Sequence, residues 1–297
     1  MHSKSFEGTG VALVTPFRKD GSVDFKALEK LLEYVITDGV EFLVALGTTS
    51  EYPTLTNDEQ IAVVNSIKET NNRRLPLVLG IGGNSTSEIV TKIQKTDFTD
   101  IDAILSVVPY YNKPSQKGMI QHFSTIAAAS PVPVILYNVP GRTGKNMEAD
   151  TVISLAHNNN NIIGIKEASG DITQVMDIIK RTPDNFKVIS GEDALTMPLV
   201  AAGASGVISV LANAYPKAFC EMVRAGLNDD HPKAREIHYN LLNFAEMIFE
   251  DGNPSGIKAA LQIKNITQSA VRLPLTTISR SLYGKLDAEI NSIPYEK

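Results

Sequence analysis

A (β/α)8 barrel with a C-terminal helical extension is the fold this sequence predicts, from three features. Eight short runs of Val, Ile and Leu recur at fairly even spacing, a helical pattern follows each, and past residue 230 the strand signal stops. The runs are GVALVTPF (10–17), EFLVALG (41–47), PLVLGIG (76–82), AILSVVPYY (103–111), PVILYNVP (133–140), IIGIKEAS (162–169), FKVISGE (186–192) and GVISVLAN (206–213). Each is nearly continuous in apolar or small residues, as strands buried on both faces of a parallel sheet are. Right-handed crossovers between successive units then close the sheet, with a doubly wound open sheet as the competing arrangement.

The helices follow in order. After the first run, Phe25, Leu28, Leu32, Val35 and Ile36 keep 3–4 spacing, with Asp24 or Ser22 as N-cap and Gly39 as the stop. After the second, Thr56 and Glu59 make a capping-box pattern ahead of Ile61, Val64 and Ile67. Further helical segments occupy roughly 86–96, 116–130, 148–158, 171–182, 193–203 and 214–227. Beyond them Ile237, Leu241, Phe244 and Ile248 form one helical face, 255–265 a second helix and 276–293 a last one, punctuated by Pro232, Pro254 and Pro274. The division is a barrel catalytic domain over 1–229 and a helical domain over 230–297. The apolar faces of that extension need a partner surface, on the barrel or on another subunit.

Composition narrows the function. The chain has 297 residues, 43% hydrophobic and 21% charged, with a formal net charge of -5 and no run of basic residues, so a nucleic-acid partner is not expected. MHSKSFEGTG lacks the parts of a signal peptide and no stretch is long enough to span a membrane, so a cytoplasmic protein is expected. Cys220, the one cysteine, lies in an apolar helical stretch and reads as a packed core thiol. His2, His122, His157, His231 and His238 show no metal-ligand spacing, and GIGGNS (80–85) ends in Ser85 where a dinucleotide fingerprint needs Gly or Ala. Neither a metal nor any other cofactor is called for.

In a barrel of this kind, chemistry is sought at the carboxyl ends of the strands. Lys166 lies on the sixth strand, with Ile165 and Glu167 on the opposite pleat face, so Glu167 does not pair with it. Burial without a carboxylate disfavours the ammonium and yields an amine nucleophile, able to form a Schiff base with a carbonyl carbon. The other reading is a lysine whose stem is buried and whose head snorkels to solvent. Tyr137 ends strand five, as a proton relay or as a buried tyrosine. Thr48 and Thr49 follow Gly47, as a carboxylate holder or as a plain turn. Arg142, in the loop after strand five, is a fork for a second carboxylate or a surface arginine. Together these point to condensation of a 2-keto acid with another acidic carbonyl compound.

The order GTGVALVTPF, GTTSE, VVPYYNKPSQKG, ILYNVPGRTG, IIGIKEASGD, SGED, GVISVLAN, VRLPL covers essentially the whole chain. In it the chain resembles the dihydrodipicolinate synthase family, among the pyruvate-dependent, Schiff-base-forming aldolases that also include N-acetylneuraminate lyase. The resemblance implies that Lys166 forms the imine with pyruvate, that Thr48 and Thr49 bind its carboxylate, and that Tyr137 relays protons through Thr48 to Tyr111, which reaches across a dimer interface. It implies L-aspartate 4-semialdehyde as second substrate, held by Arg142, and 4-hydroxy-tetrahydrodipicolinate as product, in lysine and diaminopimelate biosynthesis. Gly191 and Ile208 would line the pyruvate pocket, and the assembly would be a dimer of dimers. Arg142 with Tyr110 and Tyr111 favours the synthase over the lyase branch. Asn84, Glu88 and Tyr110 match an allosteric lysine site, whereas Asn57 and Gln60 stand where histidines occur in some regulated members. Ser50-Glu51-Tyr52-Pro53 and Gly256 depart from the usual pattern.

Overall fold

The computed structural model describes residues 6–295. His2 and the first five residues, on which the reading of the N-terminus rests, lie outside the described residues. Eight strands run in sequence order round one closed parallel barrel: β1 (Gly8–Ala12), β2 (Phe42–Ala45), β3 (Leu77–Gly80), β4 (Ala103–Val107), β5 (Val134–Asn138), β6 (Ile162–Glu167), β7 (Lys187–Ser190) and β8 (Gly206–Ser209). The barrel expected from the apolar runs is therefore the one formed. Between the strands lie α1 (Phe25–Thr37), α2 (Asn57–Asn71), α3 (Thr86–Lys95), α4 (Gln116–Ala129), α5 (Pro140–Thr143), α6 (Ala149–Asn158), α7 (Ile172–Arg181) and α8 (Thr196–Ala201). After the last strand come α9 (Pro216–Leu227), α10 (His231–Glu250), α11 (Ser255–Ile263) and α12 (Arg280–Ser292).

The chain divides into two compact units, one of Pro76–Ile208 with the segment ending at Glu7, the other of Gly8–Leu75 with Ser209–Lys297. In the first, β3 to β8 pair in sequence order. Helices α3, α4, α6 and α7 pack in sequence order around Ile89, Ile93, Met119, Phe123, Ile126, Val152, Leu155, Val175 and Ile178, all buried.

In the second unit the Asp24 carboxylate accepts from the Ala27 N–H and caps α1, whose buried face is Leu28, Leu31, Leu32 and Val35. Ser22, the alternative cap, is bound to Asp20 instead. The capping box of α2 forms as expected: Thr56 accepts from the Glu59 N–H while the Glu59 carboxylate accepts from the Thr56 N–H. Helix α10 buries Ile237, Leu241, Phe244 and Ile248, with Tyr215 edge-on to Phe244 at 5.0 Å between ring centroids. Cys220 is fully buried on α9, as a core thiol should be.

Three local readings change. The first strand is Gly8–Ala12, two residues ahead of the apolar run, and Leu13 to Phe17 leave the strand, held in part by Val14 N–H on the Asn213 amide oxygen. The seventh helix breaks into a 3-10 turn, Asp193–Leu195, and the short α8, which contains Pro198. Arg142 stands on the four-residue helix α5 rather than in a loop, because Pro140 takes the first helical position, where its missing N–H costs nothing.

Candidate active site

One irregularity of the sheet aligns the two principal side chains. Val134 on β5 pairs with Ile162 on β6, but Ile135 pairs with Gly164, so one extra residue is taken up on β6. Tyr137 therefore stands beside Lys166, and Asn138 beside Glu167. Without the bulge, Tyr137 would register with Ile165 and the two polar side chains would point to opposite faces.

Lys166 is 5% exposed and Tyr137 7%, with the lysine Nζ 4.6 Å from the tyrosine ring centroid. Among the described residues no carboxylate pairs with Lys166 and no group hydrogen-bonds the Tyr137 hydroxyl, so both polar ends are available to a third molecule. The snorkelling alternative does not hold for a lysine this buried.

Behind them, on the face turned to the helices, Glu167 is locked in place. Its carboxylate accepts from Asn138 Nδ2 (3.1 and 3.0 Å), from Gln174 Nε2 on α7 (3.1 Å) and from the Ser169 N–H (2.8 Å). Asn138 in turn accepts from the Met147 N–H at 3.0 Å. Burial pushes the Glu167 carboxyl above its ordinary range, and these donors oppose the shift. Glu167 thus points away from Lys166, as the pleat requires, and it fixes the strand ends on which Lys166 and Tyr137 sit.

Gly191, just past β7, closes the lysine's other side: its N–H donates to the Glu167 carbonyl at 2.7 Å, and a Cβ there would stand 3.0 Å from Lys166 Cε and 2.7 Å from Ala168 Cβ. Only glycine allows so close an approach. Next in the chain, Glu192 is raised first by burial and then by the neighbouring Asp193, while Lys166 and Arg142 pull it back. No motif in the sequence singles out Glu192. It joins Lys166 and the exposed Arg142 electrostatically, although a strand-end carboxylate in SGED looks like any loop residue. Ile208 is buried near the end of β8.

Tyr111 behaves differently. The Asn112 N–H donates to the Tyr110 carbonyl at 2.9 Å, closing a three-residue turn with Tyr111 at φ +69°, a strained turn for a side chain of this size. The turn throws Tyr111 outward, 90% exposed, and leaves Tyr110 38% exposed. Asn112 Nδ2 donates to the Asn84 carbonyl at 2.9 Å, tying this turn to the loop that leads into α3, whose first turn carries the exposed Glu88.

In the other unit, Thr48 and Thr49 open a 3-10 turn, Thr48–Ser50, bracketed by two left-handed residues, Leu46 (φ +52°) and Glu51 (φ +56°). Thr48 is half-buried and Thr49 is 2% exposed. Asn253 Nδ2 donates to Thr49 Oγ1 at 3.1 Å, which leaves the threonine hydroxyl proton free to donate elsewhere. Asn253, 204 residues away in sequence, was invisible to motif reading. Among the described residues no three His, Cys, Asp or Glu side chains cluster as a metal site, and no helix is long and apolar enough to cross a membrane.

A closed parallel barrel with a buried, unpaired lysine on its sixth strand and a tyrosine beside it on the fifth defines a class of lysine-bearing (β/α)8 proteins. Within that class the chain belongs to the Dihydrodipicolinate synthetase family, whose model matches residues 5–293. It is 54% identical over 284 residues to a 4-hydroxy-tetrahydrodipicolinate synthase of Flavobacterium psychrophilum, covering 96% of this chain and 97% of that one. Two solved structures are also similar. A chloride-inhibited dihydrodipicolinate synthase from Acinetobacter baumannii complexed with pyruvate superposes with a TM-score of 0.94 at 39% identity, covering 97% of this chain and 99% of that one. DHDPS from Cyanidioschyzon merolae with lysine bound gives 0.92 at 36%, covering 97% and 98%.

Proposed function

We propose that this chain condenses pyruvate with L-aspartate 4-semialdehyde to give 4-hydroxy-tetrahydrodipicolinate, the reaction for which its relatives are named, with Lys166 as the covalent residue. The observation that carries the reading is the buried, unpaired Lys166 Nζ facing the unbonded Tyr137 side chain. A neutral amine attacks the C2 carbonyl of pyruvate, and the carbinolamine loses water to become the imine. Loss of a C3 proton gives the enamine, whose C3 forms the new carbon–carbon bond with the aldehyde carbon of the second substrate. That substrate's own amine then adds to C2, closes the ring and expels the lysine amine. The reaction needs no cofactor.

Tyr137 is the relay for these proton movements, because its hydroxyl has no competing partner in its own unit and Lys166 is its cross-strand neighbour. The Thr48 and Thr49 hydroxyls receive the pyruvate carboxylate, Thr49 with its proton left free by Asn253. Arg142 receives the carboxylate of the second substrate. It makes no ion pair among the described residues, and its planar fork suits that anion. Gly191 and Ile208 shape the pyruvate pocket. Tyr111, too exposed to serve its own chain, completes the relay in a second copy, so the working form is a tight dimer, in our reading paired again into a tetramer in the cytoplasm.

Asn84 and Tyr110, tied together by Asn112, supply with Glu88 an amide, a phenol and a carboxylate for free lysine at that same dimer face. Lysine titration of the enzyme, followed by loss of turnover, tests that assignment.

The function is tested by supplying both substrates and following product formation in the parent and in Lys166→Ala. Turnover in the parent that disappears in the variant is expected. Turnover that survives the substitution refutes the role of Lys166, and a parent inert toward aspartate semialdehyde refutes the second substrate.

A further inference from the structure

We propose that the buried ion pair between Glu51 and Lys258 sets the shape of the Thr48–Thr49 turn, which makes both of them positioning residues for the pyruvate carboxylate; the inference rests on the functional reading above. Neither residue touches the substrate in that reading.

Glu51 ends the turn. Its N–H donates to the Thr48 carbonyl at 3.2 Å, and its own carbonyl accepts from the Thr54 N–H at 2.9 Å, so the residue joins two successive 3-10 turns. It does so at φ +56°, a left-handed conformation that strains any residue with a side chain. Glycine would make the same bend without strain, yet a glutamate occupies the position, and its side chain explains why.

The Glu51 carboxylate accepts from Lys258 Nζ at 2.5 Å and from the Arg272 N–H at 2.9 Å. Both charged side chains have no exposure at all. Lys258, on α11, is further held by the Ala270 carbonyl at 2.9 Å and lies 4.1 Å above the Phe17 ring. Arg272 stacks on the same ring, grips Glu59 with two nitrogens at 2.6 and 2.8 Å, and donates to the Thr54 carbonyl at 2.7 Å. Both ends of the strained bend are therefore fastened to the C-terminal segment, while Asn253 fastens its Thr49 hydroxyl.

Stability is a poor explanation for such an arrangement. Desolvating two charges offsets most of their attraction, and a well-packed apolar pair of similar volume is often as stable or more so. The cost of burial is visible at Lys258, whose amine burial pushes down to about 8 although Glu51 opposes the shift. What the pair provides is direction. Two fixed hydrogen bonds to one carboxylate hold Glu51 left-handed, and the left-handed residue holds the threonines.

The test uses the full-length enzyme and two variants. Glu51→Asp keeps both charges but shortens the reach by about 1.5 Å, one carbon–carbon bond. The double variant Glu51→Gln/Lys258→Met removes both charges together, so neither is left buried alone. First, the parent must form a borohydride-trapped pyruvate adduct and turn over; if it does not, the functional reading itself falls, and that failure is separate from this one. Given an active parent, both variants are expected to unfold as cooperatively as the parent. Their KM for pyruvate should rise about tenfold or more, and kcat should fall with it as far as Thr48 carries the proton relay, while KM for aspartate semialdehyde stays within about twofold, because the disturbance is confined to the threonine turn. Parental pyruvate KM in both folded variants overturns the proposal. So does a uniform fall in every kinetic constant, and so does failure of both variants to fold, since either outcome assigns the pair to general structure.

Discussion

Gly191→Ala adds one methyl group beside Lys166, and the structure says how far something must move. The new Cβ would meet Ala168 Cβ at 2.7 Å, the Glu167 carbonyl oxygen at 3.0 Å and Lys166 Cε at 3.0 Å. Carbons in ordinary contact sit about 3.5–4.0 Å apart, so the crowding is roughly 0.5–1.3 Å. Ala168 and Glu167 cannot easily yield: the Ala168 N–H is bound to the Asn138 carbonyl at 2.8 Å and the Glu167 carbonyl to the Gly191 N–H at 2.7 Å. The lysine side chain is the softest of the three. A displacement near 1 Å at a reacting group costs on the order of a hundredfold in rate. Overpacking itself costs about 1–3 kcal/mol of stability. Thermal unfolding would register the second effect, while the rate of pyruvate-dependent borohydride inactivation and kcat/KM would register the first. An alanine variant that traps pyruvate at the parental rate would refute the claim that Gly191 sets the lysine's position.

Three further outcomes are expected. Tyr137→Phe should lower kcat by about 10²–10⁴, with pyruvate KM little changed, if the phenol moves protons; steady-state kinetics separates the two constants. Asn253→Ala removes one hydrogen bond to Thr49, about 1 kcal/mol, and should raise pyruvate KM roughly fivefold. His122, buried on α4 with Nδ1 2.8 Å from Thr86 Oγ1, has its pKa pushed by burial down to about 4. The unfolded chain then binds the proton first as pH falls, so stability is full above about pH 6.5 and declines toward pH 4, by at most about 3 kcal/mol. Denaturant titrations in that window should flatten in His122→Leu, and an unchanged slope would remove the histidine from the explanation.

The strands were legible because a strand covered on both faces must be apolar throughout, and no other element produces eight short runs of that kind. Lys166 stood out for the same reason, as a charge that, with Glu167 beside it, interrupts such a run. What could not be read was register. The bulge between β5 and β6 that aligns Tyr137 with Lys166 cannot be read from the letters of IIGIKEAS; Gly164, which lies at it, is required instead by the close approach of β7, where a Cβ would lie 2.5 Å from the Lys187 carbonyl oxygen. Helix α5 was missed because VPGRTG has turn composition, although Pro140 also suits a first helical position. Lys258 was missed because a lysine in SGIKAAL reads as a solvated helix face. Its partner Glu51 lies 207 residues earlier, and pairings of that separation leave no local pattern.

The most direct test of the central claim is borohydride reduction in the presence of pyruvate, followed by peptide mass analysis. The account predicts one reduced pyruvate imine, on the peptide that carries Lys166 and nowhere else, with activity lost in proportion to the adduct. An unmodified Lys166 peptide, or an adduct on another lysine with activity lost alongside it, would contradict it.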